Sequence, residues 1–393
     1  MRDRKRQLLG PGFASDPYPA YRRLREEAPV RRMRLRDDLY CWWILPFEEA
    51  RAALADPRLS RDPRAAAPAW RTDDRDRGLE DGSALATHLL TLEPPDHTRL
   101  RRSVTGAFSA ERVERMRDRI QEIAGSLVDG FQDRGSAEII ADYAFPLAIS
   151  VIGEILGVPA EDHRYFRQWT SNALPDGPPV PRPDVYLKEL IAAKRRNPGD
   201  DLISELIQED LGETELLSMV FLLALAGHEG NVALVANAVL ALLRHPDQLS
   251  LLRSRPELLD PAIEEVLRWD GPMELAAWRF PTEPVTIGGT VIGAGEPVVI
   301  SLAAAHRDPG RFTAPDEFRI DRADTSHLAF GRGVHYCLGA RLARVEGRIA
   351  VGTLLDRLPG LALAAPADQI RRQPSFVIRG VHSLPVVFSP GGH

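Results

Sequence analysis

The stretch Phe330-Gly331-Arg332-Gly333-Val334-His335-Tyr336-Cys337-Leu338-Gly339 constrains this chain more than any other. It sets one of only two cysteines in a glycine-punctuated loop, directly before a run, Ala340-Arg341-Leu342-Ala343-Arg344-Val345-Glu346, that reads as helix. Backbone N–H groups and the helix dipole at such a place favour thiolate over thiol. The glycines allow a sharp turn and a close approach to a flat group. A cysteine beside a glycine is, taken alone, more often a buried structural residue. The fixed spacing of Phe, three Gly, a basic residue and Cys favours a ligand loop instead.

A thiolate held this way can be the axial ligand of a haem iron, where it pushes electron density that favours O–O cleavage. The order of residues resembles the haem-ligand loop of the cytochrome P450 family, F-G-x-G-x-H-x-C-x-G. The resemblance implies haem b (iron protoporphyrin IX), ligated by Cys337, with Phe330, Gly331, His335 and Gly339 shaping the loop around it.

At 393 residues the chain can form one large domain or two to three small ones. With 44% hydrophobic and 27% charged residues it has the make-up of a globular protein. The net charge of -6 gives no electrostatic basis for binding nucleic acid. Two cysteines, Cys41 and Cys337, exclude a disulfide framework and fit a reducing compartment. The basic start, Met1 to Gln7, is followed by no apolar segment, and the sequence reads as free of any run of about 18 apolar residues. The expectation is a cytoplasmic protein with no membrane anchor, a monomer, served by an equally soluble electron donor.

Helical apolar spacing runs through Pro46 to Ala55, Ala110 to Gln132, Pro146 to Leu156, Ser204 to Leu243 and Pro256 to Trp269. Ser109 and Thr214 stand where N-caps are expected. Val285 to Ile292 reads as a hairpin about Gly288-Gly289. Val298-Val299-Ile300 and Leu384 to Phe388 read as short strands. No repeat or long linker divides the chain. The expectation is a mainly α fold over residues 1–393, one P450-like domain with small β-sheets, haem between an oxygen-binding helix and the Cys337 loop, and a short basic tail over roughly residues 1–10. Two segments lack periodicity: Pro57 to Asp96, and Pro175 to Asp184 with its five prolines. Either is a surface loop or, as long loops often are, a binding loop; the resemblance implies the substrate entrance.

Three further landmarks follow. Glu265 and Arg268 share a helix face and can pair. They resemble the family's E-x-x-R, which implies a buried ion network with Arg322, structural in role. His97 and Arg101, four apart, can reach one ligand, and guanidinium suits carboxylate. The resemblance implies haem-propionate contacts at His97, Arg101, Arg279 and His335. The apolar segment Leu216 to Leu243 carries Ala226 and Gly227, small enough for something large to approach, then Glu229, Gly230 and Asn231. An ordinary core helix would read the same way. The match is to A-G-x-[DE]-T-[TS], whose acid and threonine relay protons during oxygen activation. Here Gly230 replaces the threonine. A substrate group or ordered water can fill that place, Asn231 can do part of the work, or the chemistry differs, as in a peroxygenase or an oxidative coupling enzyme.

The resemblance also implies a substrate pocket at Met273, Glu274, Leu275 and Ala276, with Phe376 and Val377 on a C-terminal hairpin. Glu274 reads equally as a cation-binding or a solvent-facing residue. His306 replaces a usual asparagine and reads as variation near the surface. The segment between Trp169 and Arg195 is shorter than in the family, which suggests an open mouth and a bulky or carrier-tethered substrate. The implied activity is hydroxylation of a small organic molecule in bacterial secondary metabolism, with ferredoxin or flavodoxin and a reductase as donor near Arg341 and Arg344. The rival of another class is a haem-binding sensor or recruitment protein without turnover.

Overall fold

Apolar residues recurring every three to four positions form the helices, and the tightest sequence breaks fall where glycine or proline interrupts them. The computed structural model describes residues 12–390 except 14, 37–38, 72–84, 171–180 and 374. The N-terminal tail, residues 72–84 of the first irregular segment and most of the Pro175 to Asp184 segment lie outside the described residues.

The longest helix, Glu213–Arg244, has 32 residues and spans about 48 Å at 1.5 Å per residue. It is apolar nearly all round because it is buried nearly all round. The periodic run Ser204 to Leu243 is in fact two helices, Leu202–Gln208 and Glu213–Arg244, parted at Gly212. Thr214 does not cap the second. Glu215 does so by reaching back to the Gly212 N–H at 3.1 Å, half of a capping box. Ser109 caps Ala110–Arg115, its hydroxyl accepting from Arg112 N–H. Phe145–Leu156 crosses against the long helix, and Ala340–Arg357 packs beneath it.

The β-structure is small. Val30–Arg36 pairs antiparallel with Leu39–Ile44, which pairs in parallel with Val298–Ile300. Pro385–Val387 lies between Ser136–Glu138 and Ala362–Leu363. Val285–Ile287 and Thr290–Ile292 form the hairpin, with Gly288 and Gly289 at φ of 53° and 77°, a region that glycine enters freely. Two helical stretches, Ile139–Leu156 and Glu213–Arg244, are apolar enough over 18 residues to pass as membrane spans by composition. Both supply residues to the protein's own hydrophobic clusters.

Glu265 and Arg268, on Leu259–Trp269, brace the region behind the cysteine loop. Arg268 Nε and Nη2 donate to the two Glu265 oxygens at 2.7 and 2.8 Å, and both side chains are fully buried. Arg322 Nε reaches the same carboxylate at 3.1 Å, and the Arg319 backbone N–H at 2.9 Å. Arg268 also donates to the carbonyls of His306, Pro315 and Glu317. Removing one partner of such a pair strands a buried charge. Arg268→Met is therefore expected to lower unfolding free energy by about 3–5 kcal/mol, read from denaturant midpoints.

Candidate active site

The cysteine loop is built by two glycines with left-handed backbone. Gly331 has φ 72° and Gly333 φ 75°, and a Cβ on Gly333 would press to 3.0 Å of Ala55 Cα. Gly339, at φ −84°, needs no such freedom. The Cys337 N–H donates to Phe330 O at 2.9 Å, closing the loop. Ala340–Arg357 starts immediately after. Cys337 is a free, accessible thiol, yet it sits deep enough that burial pushes its pKa up. Its accessible surface is thus the wall of a recess. The Gly339 N–H and the charges of Arg101 and Arg344 pull the other way, toward thiolate.

Arg101 braces this loop. On Asp96–Thr105, its guanidinium donates to Tyr336 O at 2.7 Å and Val334 O at 3.3 Å. His97, one turn earlier, is buried, and its ring lies 4.5 Å from that of His335. His335 Nε2 is 3.2 Å from Glu93 Oε2. His97 Nε2 and His335 Nδ1 are buried nitrogens without a hydrogen-bond partner among the described residues. Burial pushes both imidazoles below their usual pKa, His97 to about 4. Orphaned polar atoms in a buried place call for a partner, and a carboxylate delivered here would supply it. Arg279 is buried close enough for its charge to act on His335 and Glu93, and it donates to Leu59 O and Leu54 O. Arg61 adds its positive charge to both histidines. The donor set fits a haem with its two propionates.

The long helix presents the opposite chemistry. Ala226 is exposed in mid-helix and Glu229 and Gly230 are half-buried, so this face borders accessible space. A Cβ on Gly230 would meet nothing within 4 Å. Gly227 is small for another reason: its Cβ would come within 2.5 Å of Ile152 Cγ1, so it seats the helix Phe145–Leu156 rather than a cofactor. Among the described residues Glu229 has no hydrogen bond or ion pair, and burial pushes its carboxyl up to about 7. Asn231 is turned into the protein and donates to Glu346 Oε2 at 2.8 Å, tying the long helix to the helix that leaves Cys337. Its amide is therefore committed, and does not stand in for a threonine hydroxyl.

The expected substrate wall divides. Met273, Ala276 and Val377 are half-buried and can line a cavity. Leu275 is fully buried. Glu274 faces neither ligand nor solvent: its carboxylate accepts from Tyr21 OH at 2.7 Å, with Arg379 Nη1 at 3.9 Å. Phe376 is buried, stacked on Trp278 at 5.3 Å and edge-on to Trp43. These three belong to the core beneath the wall. His306 is not near the surface either. It is buried, and its Nε2 accepts the Leu328 N–H at 2.8 Å, fixing the approach to the cysteine loop.

The sequence profile described as Cytochrome P450 matches residues 184–360. A cytochrome P450 monooxygenase, PikC, of Streptomyces venezuelae is 45% identical over 98% of this chain and 94% of its own. The chain belongs to the cytochrome P450 family. Among solved structures, a myxobacterial cytochrome P450, CYP267B1, in complex with myristic acid, matches with a TM-score of 0.89 at 40% identity, covering 98% of this chain and 99% of that one. P450BioI in complex with an acyl carrier protein ligated to hexadec-9Z-enoic acid matches at 0.84 and 36% identity, covering 96% and 99%. The mainly α fold and the monooxygenase class expected from sequence are those of these relatives.

Sequence reasoning missed Glu93, Glu346 and the burial of His306. Glu346 had a visible signal: it interrupts the apolar face of Leu342, Ile349 and Ala350 on its helix. The two glycines make a paired test. Gly227→Ala is expected to destabilise by about 1–3 kcal/mol through overpacking. Gly230→Ala is expected to stabilise by up to about 1 kcal/mol, since the space is open and alanine is the better helix former. Thermal unfolding of both variants checks this.

Proposed function

We propose that this protein is a haem b-dependent monooxygenase that hydroxylates a bulky, mainly apolar small molecule, with Glu229 as its proton-delivering acid. The observation that carries this reading is a half-buried carboxyl, unpaired among the described residues, next to the open space at Gly230 and on the helix tied by Asn231 to the one that leaves Cys337. Cys337 would hold the iron, and His97, Arg101, Arg279 and His335 the propionates. When bound, the haem supplies activation of dioxygen and the oxidising power for the substrate.

The chain's residues supply position and protons. Burial near pH 7 leaves Glu229 divided between carboxylic acid and carboxylate, the condition in which one group both gives and regains a proton. At Gly230 there is no hydroxyl to pass that proton on, and the open space leaves room for a water or a substrate hydroxyl to do so. Met273, Ala276 and Val377 offer apolar contact. Donor proteins would approach a hollow of about 590 Å3 lined by Arg101, Arg117, Arg341, Arg344 and Arg348 with Asp260 and Glu264, a basic face suited to an acidic ferredoxin or flavodoxin. Arg344 is already paired with Glu264 and Arg348 with Asp260, so Arg341 presents the freer charge among the described residues. A cytoplasmic setting fits such a donor.

The acid form of Glu229 declines as pH rises through about 7. Product formed per electron is therefore expected to fall over that range in the native protein, and Glu229→Gln should be low and flat with pH. Equal pH profiles for the two would remove Glu229 from the path. The missing hydroxyl at Gly230 favours a second reading, peroxygenase chemistry. Product from peroxide together with none from donor and dioxygen would establish it.

The short segment between Trp169 and Arg195 and the likeness to a P450 captured with a carrier protein support a carrier-tethered acid as substrate. Titration of free and carrier-loaded acids is expected to show tighter binding of the loaded form, and equal affinity would refute it.

A further inference from the structure

Glu264 precedes Glu265 on the helix Leu259–Trp269, and the roughly 100° between neighbouring helical residues turns it to a different task. Its Oε2 is 3.1 Å from His327 Nε2, just upstream of the cysteine loop. Arg344, just downstream, donates from Nε to Oε1 at 2.7 Å and from Nη2 to Oε2 at 3.0 Å, a bidentate pair. Arg344 also lies 4.4 Å over the ring of Phe330, the residue whose carbonyl accepts from Cys337 N–H. His327 sits 5.9 Å from the same ring and is buried. One carboxylate thus holds the residues on both flanks of the ligand loop, and through Arg344 the aromatic ring at its start is covered.

An exposed ion pair would contribute little. This one differs because its members are part-buried, its geometry is bidentate and one arm is a buried histidine. Burial pushes the Glu264 carboxyl up, but the bonds from His327 and Arg344 more than reverse this and hold it at about 2, so it is negatively charged near neutral pH.

We propose that Glu264 is a positioning residue for the Cys337 loop: by fixing Arg344 over Phe330 and His327 at the loop's entry, it sets the seat of the ligand sulfur and balances the positive charge beside it. The proposal rests on the reading of Cys337 as the haem ligand. Removing Glu264 leaves Arg344 unbalanced, and positive charge near the iron favours its reduced form. Removing Arg344 does the reverse. A merely structural clamp would give both variants the same defect.

The test is the reduction potential of the haem-loaded protein, with the reduced carbon-monoxide difference spectrum taken alongside. Glu264→Gln is expected to shift the potential upward, Arg344→Gln downward, and the double variant back toward the native value. Arg344→Lys, which keeps the charge, should stay nearer to native than Arg344→Gln. Shifts of the same sign in the two single variants, or none, overturn the proposal. If Glu264→Gln fails to hold haem, the Arg344 pair decides: equal potentials for the Lys and Gln variants overturn it. A native spectrum without thiolate ligation would instead defeat the reading of Cys337, which is a separate failure.

Discussion

Glu265 receives two bonds from Arg268, one or two from Arg322 and one from the Arg319 backbone, all out of water. The rest of the site is stacked on this contact. Arg268 passes it on to the carbonyl of His306, and the His306 ring holds the backbone at Leu328, from which the loop to Cys337 departs. A helix, a coil and the ligand loop are thereby fixed with no long stretch of regular sheet. Burying ions is expensive. It is sustained here because each lone pair on the carboxylate has a donor.

The contrast among buried carboxyls is what separates structure from chemistry in this protein. Asp270 accepts from Tyr18 and is paired with Arg372 and Arg379; burial pushes it up, but the two guanidiniums hold it well below the usual carboxylate range. Among the described residues Glu346 has only the Asn231 amide, and burial carries it up to about 8. Glu229 has no such partner among the described residues and stands at about 7. Desolvation raises all of them, and only the paired ones are pulled back. A group left near neutrality on the face of a helix that borders open space is one that can exchange protons in use.

What the sequence made legible was local. The spacing around Cys337, the Glu265/Arg268 pair, the Gly288-Gly289 hairpin and most of the helices depend on neighbours a few positions apart. What it hid depends on distant partners. Glu274 reads as a pocket residue until Tyr21, from the far end of the chain, takes its carboxylate. His306 reads as surface because nothing local shows that Leu328 will need an acceptor. Gly227 and Gly230 look alike in sequence and differ only through Ile152. The break at Gly212 was missed because apolar periodicity continues on both sides of it.

The most direct test of the account is the reduced carbon-monoxide difference spectrum of the haem-loaded protein, native beside Cys337→Ala. The account predicts a thiolate-type band in the native protein that is lost in the variant. A native spectrum lacking that band, or one that survives removal of Cys337, would contradict it.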